Sequence, residues 1–167
     1  IAVDVRDEAG AAVTGLTKAR FKVWPLGHLF SEMSIDTVVP LDTIVVGAGQ
    51  AGLSASYVLT QHGRDHVVLE RGRVANTWRT ERWDDFVLNT PNWAQLLPGF
   101  EYAGDDPDAF APTAEVVAYL DDYAASFSAP VREGVEVLRV SQVDVGFEVE
   151  TSEGLLAASS VVVAAGA

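Results

Sequence analysis

The sequence predicts an α/β fold: a parallel sheet with helices and a small antiparallel β insertion. Short β-branched runs, typical of buried parallel strands, stand on either side of a helical segment within residues 43–70. A glycine-rich loop joins the first run to that helical segment. The chain has 167 residues, of which 49% are hydrophobic, and this suits one globular domain rather than a disordered chain.

The first elements are a strand, a helix and a second strand. Residues 43–46 form the first predicted strand. A helix follows Gly52 and ends before Gly63, because glycine is common just past a helix end. The second strand is residues 66–70.

Prolines and aromatic clusters interrupt the following 42 residues, 71–112. This segment is therefore predicted to form irregular structure with short helical turns. Thr113 is expected to cap a helix over the next residues. The apolar side chains of that helix recur every three or four positions. They are Val116, Val117, Leu120, Tyr123, Ala124 and Phe127.

Four strands are predicted in the last third of the chain, at residues 135–140, 147–151, 155–158 and 161–164. The second and third pair across a turn at Glu153 and Gly154, which gives the antiparallel insertion. The last strand is expected to be buried and to run into a glycine turn at Gly166.

A G-x-G-x-x-G pattern occupies the loop after the first strand. Its residues are Gly47, Ala48, Gly49, Gln50, Ala51 and Gly52. Gly47 allows the tight turn, Gly49 lets a pyrophosphate approach the backbone, and Gly52 allows close packing of helix and strand. The helix N-terminus offers free N–H groups to the phosphates. The pattern therefore predicts a Rossmann-like dinucleotide site.

Glu70 ends the second strand, 18 residues after Gly52. A carboxylate there accepts hydrogen bonds from ribose hydroxyls and repels a 2′-phosphate. This predicts FAD or NAD rather than NADP in this site, and the glycine pattern alone does not decide between the two.

Further motifs follow in a fixed order along the chain. They are Thr77-Trp78-Arg79, Asn89-Thr90, the helix pattern Tyr119-Leu120-x-x-Tyr123-Ala124-x-x-Phe127, and the strand Val161 to Gly166. As an ordered set over residues 42–167 they resemble the flavin-containing monooxygenases, the class B flavoprotein monooxygenases that include Baeyer–Villiger and YUCCA-type enzymes. The resemblance implies FAD in the glycine-loop site and covers the N-terminal FAD-binding part only.

The resemblance also implies roles for individual residues. In the family a G-G-[TLS]-W-[RY] element lies against the flavin, which implies cofactor contact for Thr77, Trp78 and Arg79, while Ala75 and Asn76 replace its two glycines. The family's Asn-Thr/Ser pair implies that Asn89 hydrogen-bonds the flavin or its oxygen adduct, as the only candidate catalytic residue. The remaining cofactor-binding candidates are Arg71, Thr90, Ala165 and Gly166, and at Ala165 the family has threonine.

Structural roles are the alternatives for these side chains. Trp78 can serve in packing, Arg79 can pair with Glu81 or Asp84 instead of the pyrophosphate, and Asn89 can cap a turn before Pro91. Tyr119 and Tyr123 are predicted to be helix core. No histidine is assigned a role, and no metal site is predicted.

The implied activity is that of an NAD(P)H-dependent monooxygenase. NADPH reduces FAD, and a C4a-(hydro)peroxyflavin then oxygenates a small organic substrate. The 167 residues hold no second G-x-G-x-x-G, so an NADPH domain is expected in cis or in trans, and this chain alone is expected to be inactive.

Two other classes stay open. One is another pyridine-nucleotide flavoprotein oxidoreductase, such as a disulfide-reductase-like enzyme, although that class usually carries a redox cysteine pair and this chain has no cysteine. The other is a non-catalytic FAD- or NAD-binding module.

Charge and composition exclude several partners. The net charge of −13 argues against nucleic acid, and no run approaches the roughly 20 apolar residues of a membrane span. The absence of cysteine is compatible with the expected cytoplasmic location.

Residues 1–32 are interpreted as an extension with hairpin-like alternation, 33–41 as a linker, and 42–167 as the FAD-binding domain, incomplete at its C-terminus.

Overall fold

The structure is a computed structural model that describes residues 41–83 and 85–166. The predicted extension, residues 1–32, lies outside the described residues, as does the predicted linker apart from Leu41. Everything below concerns the described part of the chain.

A six-stranded mixed sheet forms the centre of the described domain, in the order β3-β2-β1-β6-β5-β4. β3, β2, β1 and β6 run parallel to one another, whereas β5 is antiparallel to both β4 and β6. The strands are β1 (Leu41–Val46), β2 (His66–Glu70), β3 (Val131–Glu133), β4 (Val137–Gln142), β5 (Phe147–Thr151) and β6 (Gly154–Val163). The α/β fold class with an antiparallel extension is confirmed.

Helices cover one face of the parallel strands. They are α1 (Gln50–Gln61), α2 (Asn76–Thr80), α3 (Thr113–Ser126) and a 3₁₀ helix at Asn92–Ala94. Leu53 of α1 and Leu120 of α3 pack with Val45 and Val68 in the larger of two buried clusters. The second cluster, around Ile44, Leu69 and Val149, unites both halves of the sheet. None of these helices is long and apolar enough to cross a membrane.

Strand predictions in the last third needed correction. The separate strands at 155–158 and 161–164 are one continuous strand, β6. The predicted strand at 135–140 is β4, which begins two residues later, at Val137. The short β3 was not predicted, because its three residues carry no apolar run. The expected burial of the last strand is wrong at its end, where Val163 is 71% exposed.

The predicted cap of α3 is also wrong. Pro112 occupies the N-cap position and Thr113 is the first helical residue. The Thr113 hydroxyl donates instead to the Phe86 carbonyl, at 3.4 Å. The predicted apolar stripe is confirmed, since Val116, Leu120 and Tyr123 are buried.

Candidate functional site

The glycine loop is held by backbone atoms of three strands. Gly47 has φ +102°, and its N–H donates to the Leu69 carbonyl at 2.8 Å. A Cβ on Gly47 would lie 2.5 Å from the Ala164 carbonyl oxygen, just past the end of β6. A Cβ on Gly52 would lie 1.8 Å from the Gly47 carbonyl oxygen. No side chain fits at either position, so both glycines are required by packing within the chain.

Gly49 differs from those two glycines. A Cβ placed there would meet no atom within 4 Å, and the Gly49 φ of −88° suits any residue. Gly49 is the N-cap of α1, and the first helical hydrogen bond runs from the Leu53 N–H to its carbonyl. The N–H groups of Gln50, Ala51 and Gly52 therefore have no acceptor within the helix. Open space in front of three free donors is the geometry that accepts a phosphate.

Glu70 lies at the end of β2 and is 8% exposed. Its Oε2 accepts from the Ala48 N–H and its Oε1 from the Gly72 N–H, both at 2.9 Å. Each carboxylate oxygen has capacity for a second hydrogen bond. Glu70 therefore organises the glycine loop and retains acceptors for hydroxyl groups beside it.

The segment after β2 packs against the glycine loop. The Ala75 N–H donates to the Ala48 carbonyl at 3.1 Å, and the Val74 N–H donates to Glu133 Oε1 at 2.8 Å. Ala75 is 1% exposed and has φ +60°, the left-handed region that favours glycine. This residue stands where the resembling family has glycine.

The two arginines of the predicted set make ion pairs. Arg71 lies 3.4 Å from Glu81 at the surface. Arg79 donates from Nε to the Val74 carbonyl at 2.9 Å and from Nη2 to Asp121 Oδ2 on α3. The partner of Arg79 is thus Asp121, 42 positions away, and not Glu81; Asp84 lies outside the described residues.

Aromatic side chains form the surroundings of Trp78. Its ring lies 5.8 Å from that of Phe86, and the Arg82 guanidinium lies 4.8 Å from its centroid. Trp83 contacts Phe86 edge-on at 4.8 Å but is 67% exposed. Trp78 is therefore fixed by its neighbours while remaining partly accessible.

A cleft of about 370 Å³ begins at the N-terminus of α1 and extends along these aromatics. Four residues of the predicted site line it, namely Gln50, Trp78, Asn89 and Thr90. Its other lining residues are Phe86, Leu88, Ala94, Gln95, Leu96, Leu97 and Tyr119. The structure thus brings the first helical residue after the phosphate loop together with the predicted Trp and Asn-Thr elements.

Residues 44–167 match the pyridine nucleotide-disulphide oxidoreductase family. The chain belongs to this family. An uncharacterized CzcO-like oxidoreductase of Geobacillus kaustophilus is 38% identical over 75% of this chain and 36% of its own length. The indole-3-pyruvate monooxygenase YUCCA6 of Arabidopsis thaliana is 33% identical over 50% of this chain and 20% of its own.

Solved structures agree with these relatives. A flavin-containing monooxygenase from Stenotrophomonas maltophilia superposes with a TM-score of 0.66 at 31% identity, covering 75% of this chain and 38% of that one. The resemblance to flavin-containing monooxygenases is confirmed, and the chain spans well under half the length of these proteins.

Other residues of the predicted site lie outside the cleft. The Ala164 N–H donates to the Val46 carbonyl at 2.8 Å, which brings Ala165 against Gly47. Gly166 follows with φ +81°. Thr77 is half-buried in α2, between Trp78 and the glycine-loop contact at Ala75.

Sequence reasoning missed a group of cleft residues, at Gln95, Leu96, Leu97 and Tyr119. Tyr119 was expected in the helix core, yet it is half-buried at the cleft, with its hydroxyl 2.8 Å from the Gln95 carbonyl and 2.9 Å from that of Phe100. Burial raises the pKa of Tyr119 above its usual value. No local pattern marks these residues, because the contacts form between α3 and an irregular segment.

Proposed function

We propose that this chain is the FAD-binding part of an NAD(P)H-dependent flavoprotein monooxygenase that oxygenates a small organic substrate. One observation carries the proposal. The buried acceptor Glu70, the open space at Gly49 and the aromatic cleft that begins at Gln50 all adjoin the glycine loop. They suit, in turn, the adenosine ribose, the pyrophosphate and the large planar ring of a flavin dinucleotide.

The chain's own groups fit FAD one by one. The free N–H groups at the start of α1 would hold the pyrophosphate, and the Glu70 oxygens would accept from the adenosine ribose hydroxyls. Trp78, Asn89 and Thr90 would border the flavin ring in the cleft. We propose a cofactor-binding role also for Arg71, Thr77, Ala165 and Gly166, of which Ala165 lies against Gly47.

FAD, when bound, supplies the redox and oxygen chemistry. The residues of this chain bind and orient it, and the aromatic wall of Trp78 and Phe86 limits water at the cleft. Asn89 would offer its amide N–H groups there, and no acid–base pair is required of the chain. This division of labour agrees with the lining of the cleft, where the described residues include no Asp, Glu, His, Lys or Arg side chain.

The monooxygenase assignment rests on the relatives. The Arabidopsis relative and the Stenotrophomonas structure are both named as monooxygenases, and both are more than twice as long as the matched part. We therefore propose that NADPH binds a further domain, present in cis or in trans. A disulfide-reductase activity has no support from this chain, which has no cysteine.

The proposal is tested by replacing Gly49 with valine in the 167-residue chain. Because a side chain at this position would project into the proposed phosphate site, we expect Gly49→Val to weaken FAD binding by at least about 100-fold. The fold should survive, at a cost of about 1 kcal/mol for a poorer N-cap. Binding is measured by quenching of FAD fluorescence, and folding by urea unfolding.

Ala125→Val is the matched control, since Ala125 is exposed on α3, away from the glycine loop. It should keep wild-type affinity. A wild-type chain that gives no flavin spectrum after reconstitution would overturn the flavoprotein assignment, and unchanged affinity in Gly49→Val would overturn the phosphate-loop assignment. Rapid bleaching of bound FAD by NADPH would show that the chain needs no further domain.

A further inference from the structure

Three hydrogen bonds hold the backbone of Val74 and Ala75. Glu133 on β3 accepts from the Val74 N–H, Arg79 on α2 donates to the Val74 carbonyl, and the Ala75 N–H donates to the glycine loop at Ala48. We call these contacts, with the pairing of Arg79 to Asp121, the loop clamp. The loop clamp therefore links β3, α2 and α3 to the proposed phosphate loop.

The loop clamp stabilises a conformation that the local sequence does not favour. Ala75 is the buried residue with φ +60°, and a non-glycine residue stays in that region only when surrounding contacts hold it there. In this conformation its N–H donates to the Ala48 carbonyl. Ala48 in turn donates to Glu70, so the segment, the glycine loop and the ribose acceptor are joined in one chain of hydrogen bonds.

We propose that Arg79, Asp121 and Glu133 are positioning residues that set the affinity for FAD by holding residues 72–75 against the glycine loop. The inference rests on the proposed function and deepens it, since it moves Arg79 from direct contact with the pyrophosphate to support of the loop. Both donor groups of Arg79 named above are engaged, and its side chain is only 23% exposed.

Replacing Asp121, the partner of Arg79, distinguishes direct contact with the phosphates from support of the loop. If Arg79 contacted the phosphates directly, Asp121→Ala would free the guanidinium and leave FAD affinity unchanged or tighter. If Arg79 positions the loop, Asp121→Ala should weaken FAD binding, because the guanidinium loses its anchor on α3. Asp121→Ala is suited to the exposed side of α3, because alanine has the highest helix propensity.

The experiment is a double-mutant cycle of Arg79→Met and Asp121→Ala in the 167-residue chain, with FAD affinity from fluorescence titration. We expect each variant to weaken binding about tenfold and the double variant to do no worse, because both remove the same support. Glu133→Ala should also weaken binding, and Glu133→Gln should restore it, since the amide oxygen still accepts from Val74. Glu150→Gln, which alters the surface pair with Arg139 between β5 and β4, is the control with wild-type affinity.

A second readout concerns the loop itself. Amide hydrogen exchange at Val74 and Ala75 should accelerate in Asp121→Ala without FAD, whereas amides of β1 and β2 keep their protection. Unchanged or tighter FAD binding in Asp121→Ala, or a double variant about 100-fold weaker, would overturn the positioning role alone. Failure of the wild-type chain to bind FAD would overturn the proposed function and the positioning role together.

Discussion

The two ends of the cleft are built from different kinds of contact. At the glycine loop, backbone atoms meet backbone atoms: Gly47 lies against the carbonyl of Ala164, and Gly52 against that of Gly47. At the aromatic end, side-chain hydroxyls of α3 hold the carbonyls of an irregular segment. Tyr119 contacts those of Gln95 and Phe100, and Tyr123 donates to that of Pro98 at 3.0 Å.

This difference divides the tasks of the site. Backbone packing leaves no room for substitution and would fix the position of the proposed phosphate group. Side-chain tethers tolerate change in the residues that they hold, because a carbonyl is the same in every residue. The glycine loop should therefore tolerate little substitution, whereas a change of side chain at Gln95 leaves the carbonyl that Tyr119 holds.

The largest effect is expected at the backbone-packed end. Gly52→Ala places a methyl group 1.8 Å from the Gly47 carbonyl oxygen, and both strand and helix must shift to relieve it. We expect a loss of about 3 kcal/mol or more in the free energy of unfolding, measured with urea. Gly49→Ala is the control, with a loss of about 1 kcal/mol or less. Equal stability of the two variants would show that the close packing at Gly52 is not required.

A smaller effect is expected at the tethered end. Tyr123→Phe removes the hydroxyl that donates to Pro98 and should cost about 1 kcal/mol at neutral pH. Burial raises the pKa of Tyr123 from 10.0 to about 12. The folded state thus holds this proton more tightly, so the contribution is complete below pH 10 and is lost as the pH rises from 10 to about 12.

Urea unfolding at pH 8 and pH 11 checks this expectation. The wild-type chain should lose more of its unfolding free energy between these values than Tyr123→Phe does, with the remaining loss in the variant including the contribution of Tyr119. An identical loss in both proteins would contradict a raised pKa at Tyr123.

The smallest effect is expected for Ala75→Gly, at the junction of the two ends. Glycine there relieves about 1 kcal/mol of left-handed backbone cost, and loses a similar amount through the buried methyl group and the more flexible unfolded chain. Ala75→Gly should therefore unfold within about 0.5 kcal/mol of wild type in urea. Ala75→Val, β-branched at a positive φ, should lose about 2 kcal/mol or more. A valine variant as stable as wild type would show that the segment can leave this conformation at little cost.

The same division decides what the sequence could predict. The turn at Gly47, the close packing at Gly52 and the strand end at Glu70 depend on residues that the G-x-G-x-x-G spacing brings together, so the sequence predicts their positions in the fold. The loop clamp and the cleft wall depend on pairs such as Arg79 with Asp121, which are 42 positions apart and carry no periodic signal. The sequence did not predict β3 for a related reason. The three residues of β3 form a strand through their pairing with β2.

The long pairing of β1 with β6 has a consequence during synthesis. Leu41 lies opposite Ala158, which leaves the ribosome 117 residues (158 − 41) later. Contacts of such separation form late, because the intervening chain must first be closed into a loop. The nascent chain therefore exposes the β1 edge and a glycine loop without its Ala164 contact until almost the whole described domain has been translated. A ribosome paused before β6 carries a polypeptide in which the proposed nucleotide site is unfinished.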